Sequence, residues 1–359
     1  MNKKIIFSGG GTGGHIFPAI NLMKHFSEKN YKVLLVTDKR GMNYIKNYSK
    51  FKYYILNTST PTQKNFLKKI FSYLLIIYSI IKSIIILKKE KPNLIFGFGG
   101  YVSFPISFAS KFFNLPLVIY ENNMVLGRAN KYLSTFSKKI LLEKKIKENF
   151  PTKYKNKTYE VGPILNKSII KNSFSKENTY KENFSILVIG GSQGAEIFGK
   201  IVPPAIKMIK DNGYEIEVNQ QCLANQKNLI TDFYNKNNIK NHVFEFDKNI
   251  SKLLFSSSIA VTRCGASTTA ELLYSFIPFI AVPLPNSIDN HQYLNAKYYE
   301  EKGCCWLLEQ SNFNVKNLFN LIIETIKNKN KIENIRSNMK KNYIKDVYTN
   351  IENEVEKLI

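Results

Sequence analysis

The sequence predicts an α/β protein made of two doubly wound halves, and three observations predict it. Four glycine-rich turns, GGGTGGH at Gly9–His15, FGFGGY at Phe96–Tyr101, GGSQGA at Gly190–Ala195 and RCGAS at Arg263–Ser267, lie at or near the ends of strand-like runs, and at least three open helical patterns. Strand-like and helical segments alternate along the chain, and the alternation restarts after Pro163. At 359 residues and 44% hydrophobic content, the chain exceeds what one core usually holds and suffices for two buried sheets.

Lys4–Ser8 is a short apolar strand pattern, and Ile16–Phe26, after the first glycine turn, has helical periodicity. The turn is close to a dinucleotide fingerprint without being G-x-G-x-x-G, and Asp38, beyond the next strand at Lys32–Val36, only faintly echoes the ribose-binding acid of such folds. Leu94–Phe96, Leu117–Tyr120 and Lys139–Leu142 continue the first half, and the polar, proline-containing stretch Phe150–Pro163 reads as a linker. This gives a first domain at 1–160. Ser185–Ile189 then enters the third glycine turn just as the first strand enters the first turn. Glu215–Asn219, His242–Phe246, Ile259–Thr262 and Phe279–Val282 follow, separated by helices, for a second domain at 161–335. From Lys331 the chain is polar, charged and helical, and residues 336–359 are expected as a helix that packs back on the first domain. Glycine turns of this kind bring backbone amides and a helix N-terminus up to a phosphate with no Cβ in the way. Two in equivalent places point to a phosphorylated ligand.

Cys222, Cys264, Cys304 and Cys305 have no C-x-x-C spacing and the four histidines are scattered, which argues against a zinc site or disulfide framework and for reduced, buried thiols. Met1–Lys4 leads straight into a strand without a signal-peptide pattern, as in a cytoplasmic protein. The net charge of +25 suits polyanions in general, whether nucleic acid, anionic membrane or phosphorylated substrate. No nucleic-acid motif accompanies it. Its distribution is more telling, because Lys64–Lys91 sets aromatic and long aliphatic residues between two lysine clusters. The run has about the minimum length of a membrane span, but Lys82 interrupts it and it lies inside the first half. A buried crossover helix accounts for much of Tyr73–Leu87. Phe66, Leu67, Ile70 and Phe71 beside Lys68 and Lys69 have the mix of an interfacial patch on acidic lipid.

The second half carries the more specific chemistry. RCGASTTAE, Arg263–Glu271, turns from an apolar strand into a helix whose first N–H groups point outward, with Glu271 about a turn inside. A carboxylate there suits a ribose diol, and equally suits a helix dipole. DNHQYLNA, Asp289–Ala296, gathers amide, imidazole and carboxylate groups at a strand exit, as sugar hydroxyls require, although a turn capped by Asp289 would look similar.

GGGTGGH, GFGGYVSFP, ENNMVLGRANKYL at Glu121–Leu133, GGSQGA, RCGASTTAE and DNHQYLNA occur in the order and approximate spacing of the MurG family of glycosyltransferase family 28, and the chain resembles that family over nearly its whole length. The resemblance implies the GT-B fold, two Rossmann-like domains whose parallel sheets face a central cleft. It implies inverting transfer of GlcNAc from UDP-GlcNAc to the MurNAc 4-hydroxyl of lipid I, forming lipid II for peptidoglycan. UDP-GlcNAc is then a substrate and no cofactor or metal is expected. It further implies a peripheral protein on the cytoplasmic face of the inner membrane, with lipid I, an anionic membrane surface and other cell-wall synthesis proteins as partners. Carried over by residue, it puts Thr12, Gly13, Gly14 and Asn123 beside the donor and Ser192 on the nucleotide or its phosphates. Ala266, Ser267, Thr268 and Thr269 would hold the diphosphate and donor sugar, Glu271 the ribose and Gln292 the GlcNAc hydroxyls. Where many family members carry an arginine, this chain has Asn166, with Lys167 adjacent as a substitute phosphate contact, and His291 stands where a second glutamine is common.

Leaving UDP develops negative charge on its diphosphate. No D-x-D sequence occurs to hold a metal there, and oriented helix N-termini can stabilise the charge instead. His15 closes the first glycine turn at a helix start, where the positive dipole end favours the neutral imidazole that a base for the acceptor hydroxyl requires. The alternative is a histidine that only bonds the acceptor or buttresses the turn. A nicotinamide oxidoreductase would explain the first turn but not the sugar-type cluster of the second half. Within the glycosyltransferases, transfer to another lipid such as diacylglycerol is the runner-up.

Overall fold

A computed structural model describes residues 3–45, 51–60, 65–146, 150–173, 184–191, 194–247 and 250–359. The chain divides into two units, Met1–Leu165 with Ile344–Ile359, and Asn166–Tyr343.

The first unit holds β1 (Lys4–Ser8), β2 (Lys32–Thr37), β3 (Lys52–Ile55), β4 (Leu94–Gly97), β5 (Leu117–Glu121), β6 (Lys139–Leu142) and β7 (Thr158–Glu160) in the order β3-β2-β1-β4-β5-β6-β7. Every pair is parallel, so the strands need cover on both faces and read as apolar runs; Ile5, Ile6 and Phe7 of β1 are all buried. Its helices are α1 (Gly13–Glu28), α2 (Lys39–Ile45), α3 (Phe66–Glu90), α4 (Gly100–Ala109) and α5 (Arg128–Leu133).

The second unit repeats the plan. Helices α6 (Lys167–Asn172), α7 (Glu196–Asp211), α8 (Lys227–Lys236), α9 (Ile250–Ser256), α10 (Ala266–Tyr274), α11 (His291–Glu301), α12 (Val315–Lys327) and α13 (Lys329–Lys341) accompany a six-stranded parallel sheet. Its strands are β8 (Phe184–Ile189), β9 (Ile216–Gln221), β10 (Lys240–Phe244), β11 (Ile259–Thr262), β12 (Phe279–Ala281) and β13 (Cys305–Leu307), ordered β10-β9-β8-β11-β12-β13. Strand β10 starts two residues before the expected His242, which leaves Phe246 outside the sheet and exposed.

Three expectations need correction. Phe150–Pro163 is not a linker: Tyr154 is buried, Thr158–Glu160 pairs with β6, and the Tyr120 hydroxyl donates to Gly162 O at 3.1 Å and accepts from Ile164 N at 3.3 Å. The C-terminal region is also two helices rather than one. α13 packs on α10 and α12 in the second unit, whereas α14 (Val347–Glu356) lies on α1, where Glu352 takes His25 Nε2 at 3.1 Å and Lys29 at 3.2 Å.

The third concerns α3. Its far end is knotted to the sheet through Glu90, whose carboxylate receives Lys52 at 2.6 Å, the Tyr54 hydroxyl at 2.5 Å and Lys4 at 3.2 Å. Burial works to raise the Glu90 carboxyl, yet these bonds hold it down at about 2. Toward its start the helix is not buried by its large residues. The inward face is Ser72, Ser79 and Ser83, with hydroxyls donated to the carbonyls of Lys68, Asn57 and Ser79, and Lys82 also turns inward to Ile55 O at 3.0 Å. Tyr73, Leu74, Ile77, Tyr78, Ile81 and Ile85 are exposed and continue the stripe begun by Phe66, Leu67, Ile70 and Phe71. The helix is long and apolar enough to cross a membrane, with a window of mean hydropathy 2.3. Lys64, at the head of the expected patch, lies outside the described residues.

Candidate functional site

In the first unit β1 runs into the first glycine turn. A Cβ on Gly10 would stand 2.8 Å from Asp38 Oδ1, and Gly11 has φ +80°, so both positions need glycine. Asp38 is the peg of this turn: Oδ1 accepts from Gly11 N at 3.0 Å and Gly41 N at 2.8 Å, and Oδ2 from Arg40 Nε at 3.2 Å. Its carboxylate is therefore occupied, which removes it as a ribose ligand. Thr12 caps α1 in extended conformation, exposed, with no side-chain bond to the helix, and the amides of Gly13 and Gly14 follow as the first open donors.

The His15 ring lies against the second glycine turn. A Cβ on Gly99 would come 3.5 Å from Cε1, and one on Gly100 would come 3.3 Å from Cδ2 and 3.4 Å from Gly10 O. Both glycines have positive φ, +80° and +72°, so side chains are excluded twice over and the two turns close on one imidazole. Behind them stands Glu121, buried at the end of β5. It accepts from Asn123 N and Nδ2, each at 3.1 Å, from Gly127 N at 2.9 Å and from Asn130 Nδ2 at 3.0 Å. The neighbouring Asn122 donates to Gly14 O at 2.9 Å, so the ENN run is a brace for the first turn. Sequence reasoning gave Glu121 no role; its place at a strand end inside a glycine-flanked motif was the available signal. Asn123 Nδ2 is engaged by Glu121 and by Asn122 Oδ1 at 3.0 Å.

In the second unit the third turn is held by Gln221 Oε1, which accepts from Gly190 N at 3.1 Å, while a Cβ on Gly190 would fall 2.5 Å from Ala195 N. Ser192 of this turn lies outside the described residues. The fourth turn is fixed through one peptide group. Cys264 N donates to Gln292 Oε1 at 3.2 Å, and Cys264 O accepts from Asn295 Nδ2 at 3.1 Å. Helix α10 then opens at Ala266, and the amides of Ala266, Ser267 and Thr268 precede the first helical bond, Thr269 N to Gly265 O at 3.1 Å. An added Cβ at Gly265 would meet nothing within 4 Å, so this turn faces open space. Thr269 narrows the expected set: it is buried, and its hydroxyl donates inward to Ala266 O at 3.0 Å.

Glu271 is partly buried and accepts no hydrogen bond from any described residue; burial pushes its carboxyl up to about 7. Gln292 uses its oxygen on Cys264 N and on Leu284 N at 3.0 Å, which leaves Nε2 as its outward group. His291 Nδ1 is instead 2.8 Å from Ile288 O, closing the turn before α11, which Asn290 caps in left-handed conformation rather than Asp289. Asn166 has a local explanation too. It is the N-cap of α6, with Oδ1 accepting from Ser168 N at 2.9 Å, and exposed Lys167 is the first residue of that helix.

Models of the glycosyltransferase family 28 N-terminal and C-terminal domains match residues 5–142 and 185–351. A protein of Pelagibacter ubique (strain HTCC1062) named UDP-N-acetylglucosamine--N-acetylmuramyl-(pentapeptide) pyrophosphoryl-undecaprenol N-acetylglucosamine transferase is 35% identical over 98% of this chain and 97% of its own. A Rickettsia bellii (strain RML369-C) protein of the same name is 35% identical over 99% of this chain and 100% of its own. In fold, the chain is similar to the crystal structure of Acinetobacter baumannii MurG, with TM-score 0.82 at 21% identity over 99% of this chain and 100% of that one. That likeness identifies the fold as two Rossmann-like domains of the GT-B class.

The Glu271 carboxyl has a measurable consequence. A carboxyl raised in the folded state gives stability that is complete below its unfolded value near 4.5 and is lost as pH rises through about 7. Urea melts of the ligand-free protein should lose on the order of 2 kcal/mol across that window, the partial opening to water being allowed for. Glu271→Gln should flatten the loss. Equal pH slopes for the two proteins would show that the carboxylate is solvated.

Proposed function

This chain belongs to glycosyltransferase family 28, and from that premise we propose how its residues serve the reaction. It transfers N-acetylglucosamine from UDP-GlcNAc to lipid I, the undecaprenyl-pyrophosphoryl N-acetylmuramyl-pentapeptide, giving lipid II. One observation carries the assignment of the donor site: the open amides of Ala266, Ser267 and Thr268 stand one turn ahead of a carboxylate, Glu271, with no protein partner among the described residues. Oriented amides suit a diphosphate, and an unpartnered carboxylate suits the two hydroxyls of a ribose.

The transfer is a single displacement at the anomeric carbon. The 4-hydroxyl oxygen of MurNAc attacks as the bond to the UDP oxygen breaks, so the configuration inverts and the bonding pair leaves with the diphosphate. The N-terminus of α10 meets that charge with dipoles already in place, and Lys167 adds a cation where the family's arginine is absent. Ser192 makes a further nucleotide contact. Gln292 donates from Nε2 to a GlcNAc hydroxyl. In the first unit, Thr12, the amides of Gly13 and Gly14, and Asn123 serve the sugar, and His15 takes the acceptor proton. Support for His15 comes from its seat: two glycine turns without Cβ atoms lie against the ring, and Asp38 and Asn122 hold the first of them.

We infer a peripheral seat on the cytoplasmic face of the cell membrane, a reading that the exposed apolar stripe of α3 supports. Phe66, Leu67, Ile70 and Phe71 enter the headgroup layer, Lys68 and Lys69 meet acidic lipid, and the inward turn of Lys82 leaves the stripe apolar as far as Ile85.

His15→Ala should lower kcat about 100-fold or more while UDP-GlcNAc binding persists. Near-normal turnover on lipid I would remove the imidazole as base. The double variant Lys68→Glu with Lys69→Glu should bind anionic vesicles more weakly, by at least about 1 kcal/mol per lysine, and keep its activity on a water-soluble acceptor analogue. Unchanged vesicle binding at low salt would move the membrane face elsewhere.

A further inference from the structure

Arg263 is 7% exposed, and no carboxylate among the described residues pairs with it. Its guanidinium is nevertheless fully directed. Nη1 donates to Val282 O and to Pro283 O, both at 3.1 Å, Nη2 donates to Gln310 Oε1 at 2.6 Å, and the group lies 5.1 Å from the centre of the Phe198 ring. The contacts reach three further strand exits besides its own. Arg263 itself follows β11, Val282 and Pro283 follow β12, Gln310 follows β13, and Phe198 sits in the first turn of α7 after the third glycine turn. The backbone joins in, with Arg263 N donating to Ile189 O at 3.1 Å at the end of β8.

A core position would be filled at lower desolvation cost by an apolar side chain, so burying a cation here calls for a reason beyond packing. The reason lies in the geometry of a planar fork, which fixes several acceptors in direction at once, as a flexible ammonium cannot. The acceptors it fixes lead to the donor turn by short paths. Pro283 precedes Leu284, whose amide shares Gln292 Oε1 with the amide of Cys264, and Cys264 is the residue next to Arg263. Gln292, the Cys264 peptide and the opening of α10 therefore hang on one guanidinium.

We propose that Arg263 is a positioning residue of the donor site, setting the open amides of Ala266–Thr268 and the Nε2 of Gln292 in place before the donor arrives. The proposal rests on the reading of that turn as the UDP-GlcNAc site. The diphosphate of the bound donor is already anionic before the glycosidic bond breaks, so most of what these amides contribute is present in the ground state, and loss of the scaffold falls mainly on donor KM and Kd and only slightly on kcat.

The test uses Arg263→Ala and Arg263→Lys in the full chain, with UDP-GlcNAc affinity by calorimetry and kcat and KM measured separately for donor and acceptor. Arg263→Ala should weaken donor binding about tenfold or more, with kcat within about threefold and the acceptor KM unmoved. Millimolar guanidinium ion should restore donor affinity, whereas potassium at equal ionic strength should not. Arg263→Lys should stay weak, since a single ammonium nitrogen cannot reach acceptors that the planar fork meets from two separate nitrogens. A folded Arg263→Ala that binds donor within about twofold of the parent, or a loss that guanidinium leaves unchanged, overturns the proposal. If Arg263→Ala does not fold, Gln310→Ala decides: it frees one arm of the fork, should weaken donor binding about threefold, and overturns the proposal if affinity is unchanged. Failure of the parent protein itself to bind UDP-GlcNAc would overturn the donor-site reading instead.

Discussion

A strand can run parallel to its neighbour only if the chain crosses back over the sheet between them, and every strand pair in both units is parallel. Each sheet therefore gathers its strand-to-helix turns on one edge. Each turn that starts a helix exposes amides with no acceptor of their own, which is the raw material of an anion site. What distinguishes the turns is how they are held. In the first unit carboxylates do it, Asp38 under Gly11 and Glu121 behind Asn123 and Gly127; in the second unit side-chain amides do it, Gln221 under Gly190 and Gln292 with Asn295 around Cys264. Among the described residues the fourth turn is thus held by no acid, and Glu271, a turn farther along α10, has its carboxyl pushed up to about 7 by burial.

Helix α3 answers to a different constraint. An ordinary crossover helix turns its large apolar residues to the sheet along its length, and this one does so only near its end, at Ile86 and Leu87, turning serines inward before that. The serine hydroxyls are satisfied by carbonyls, so the inward face is closed without needing bulk. The outward stripe, with Phe66 at 73% and Ile85 at 61% exposure, leaves apolar area in water at about 25 cal/mol per Å² until something covers it. The Glu90 end is tied by three donors from β1 and β3, and Ser79 and Lys82 tie the middle to the carbonyls of Asn57 and Ile55. Such an arrangement presents a surface rather than filling a core.

Much of the fold was legible because parallel strands buried on both faces are unbroken apolar runs and glycine turns punctuate them. Three of the four edge strands were not. β3, β7 and β13 are three or four residues long and mix lysine, tyrosine, threonine, glutamate or cysteine with few aliphatics, so period and length both fail as signals. The face of α3 was also hidden, since a helix with apolar residues on most sides does not reveal which side meets the protein. Within the site, the turns and Glu271 follow from local pattern alone. The roles of Asp38, Glu121 and Arg263 depend on partners far away in sequence, and Thr269 looks like a phosphate ligand until its hydroxyl is seen bonded to Ala266 O. Asn166 marks the limit from the other side: as a departure from the family it looked like a loss, and in the structure it is the cap of α6.

The reaction assigned to this chain passes GlcNAc from UDP to lipid I. Purified protein should be given UDP-GlcNAc labelled in the sugar, with lipid I or with diacylglycerol presented in the same anionic vesicles, and the labelled lipids separated. Label should appear on lipid I as lipid II and not on diacylglycerol. Label on diacylglycerol with none on lipid I would contradict it.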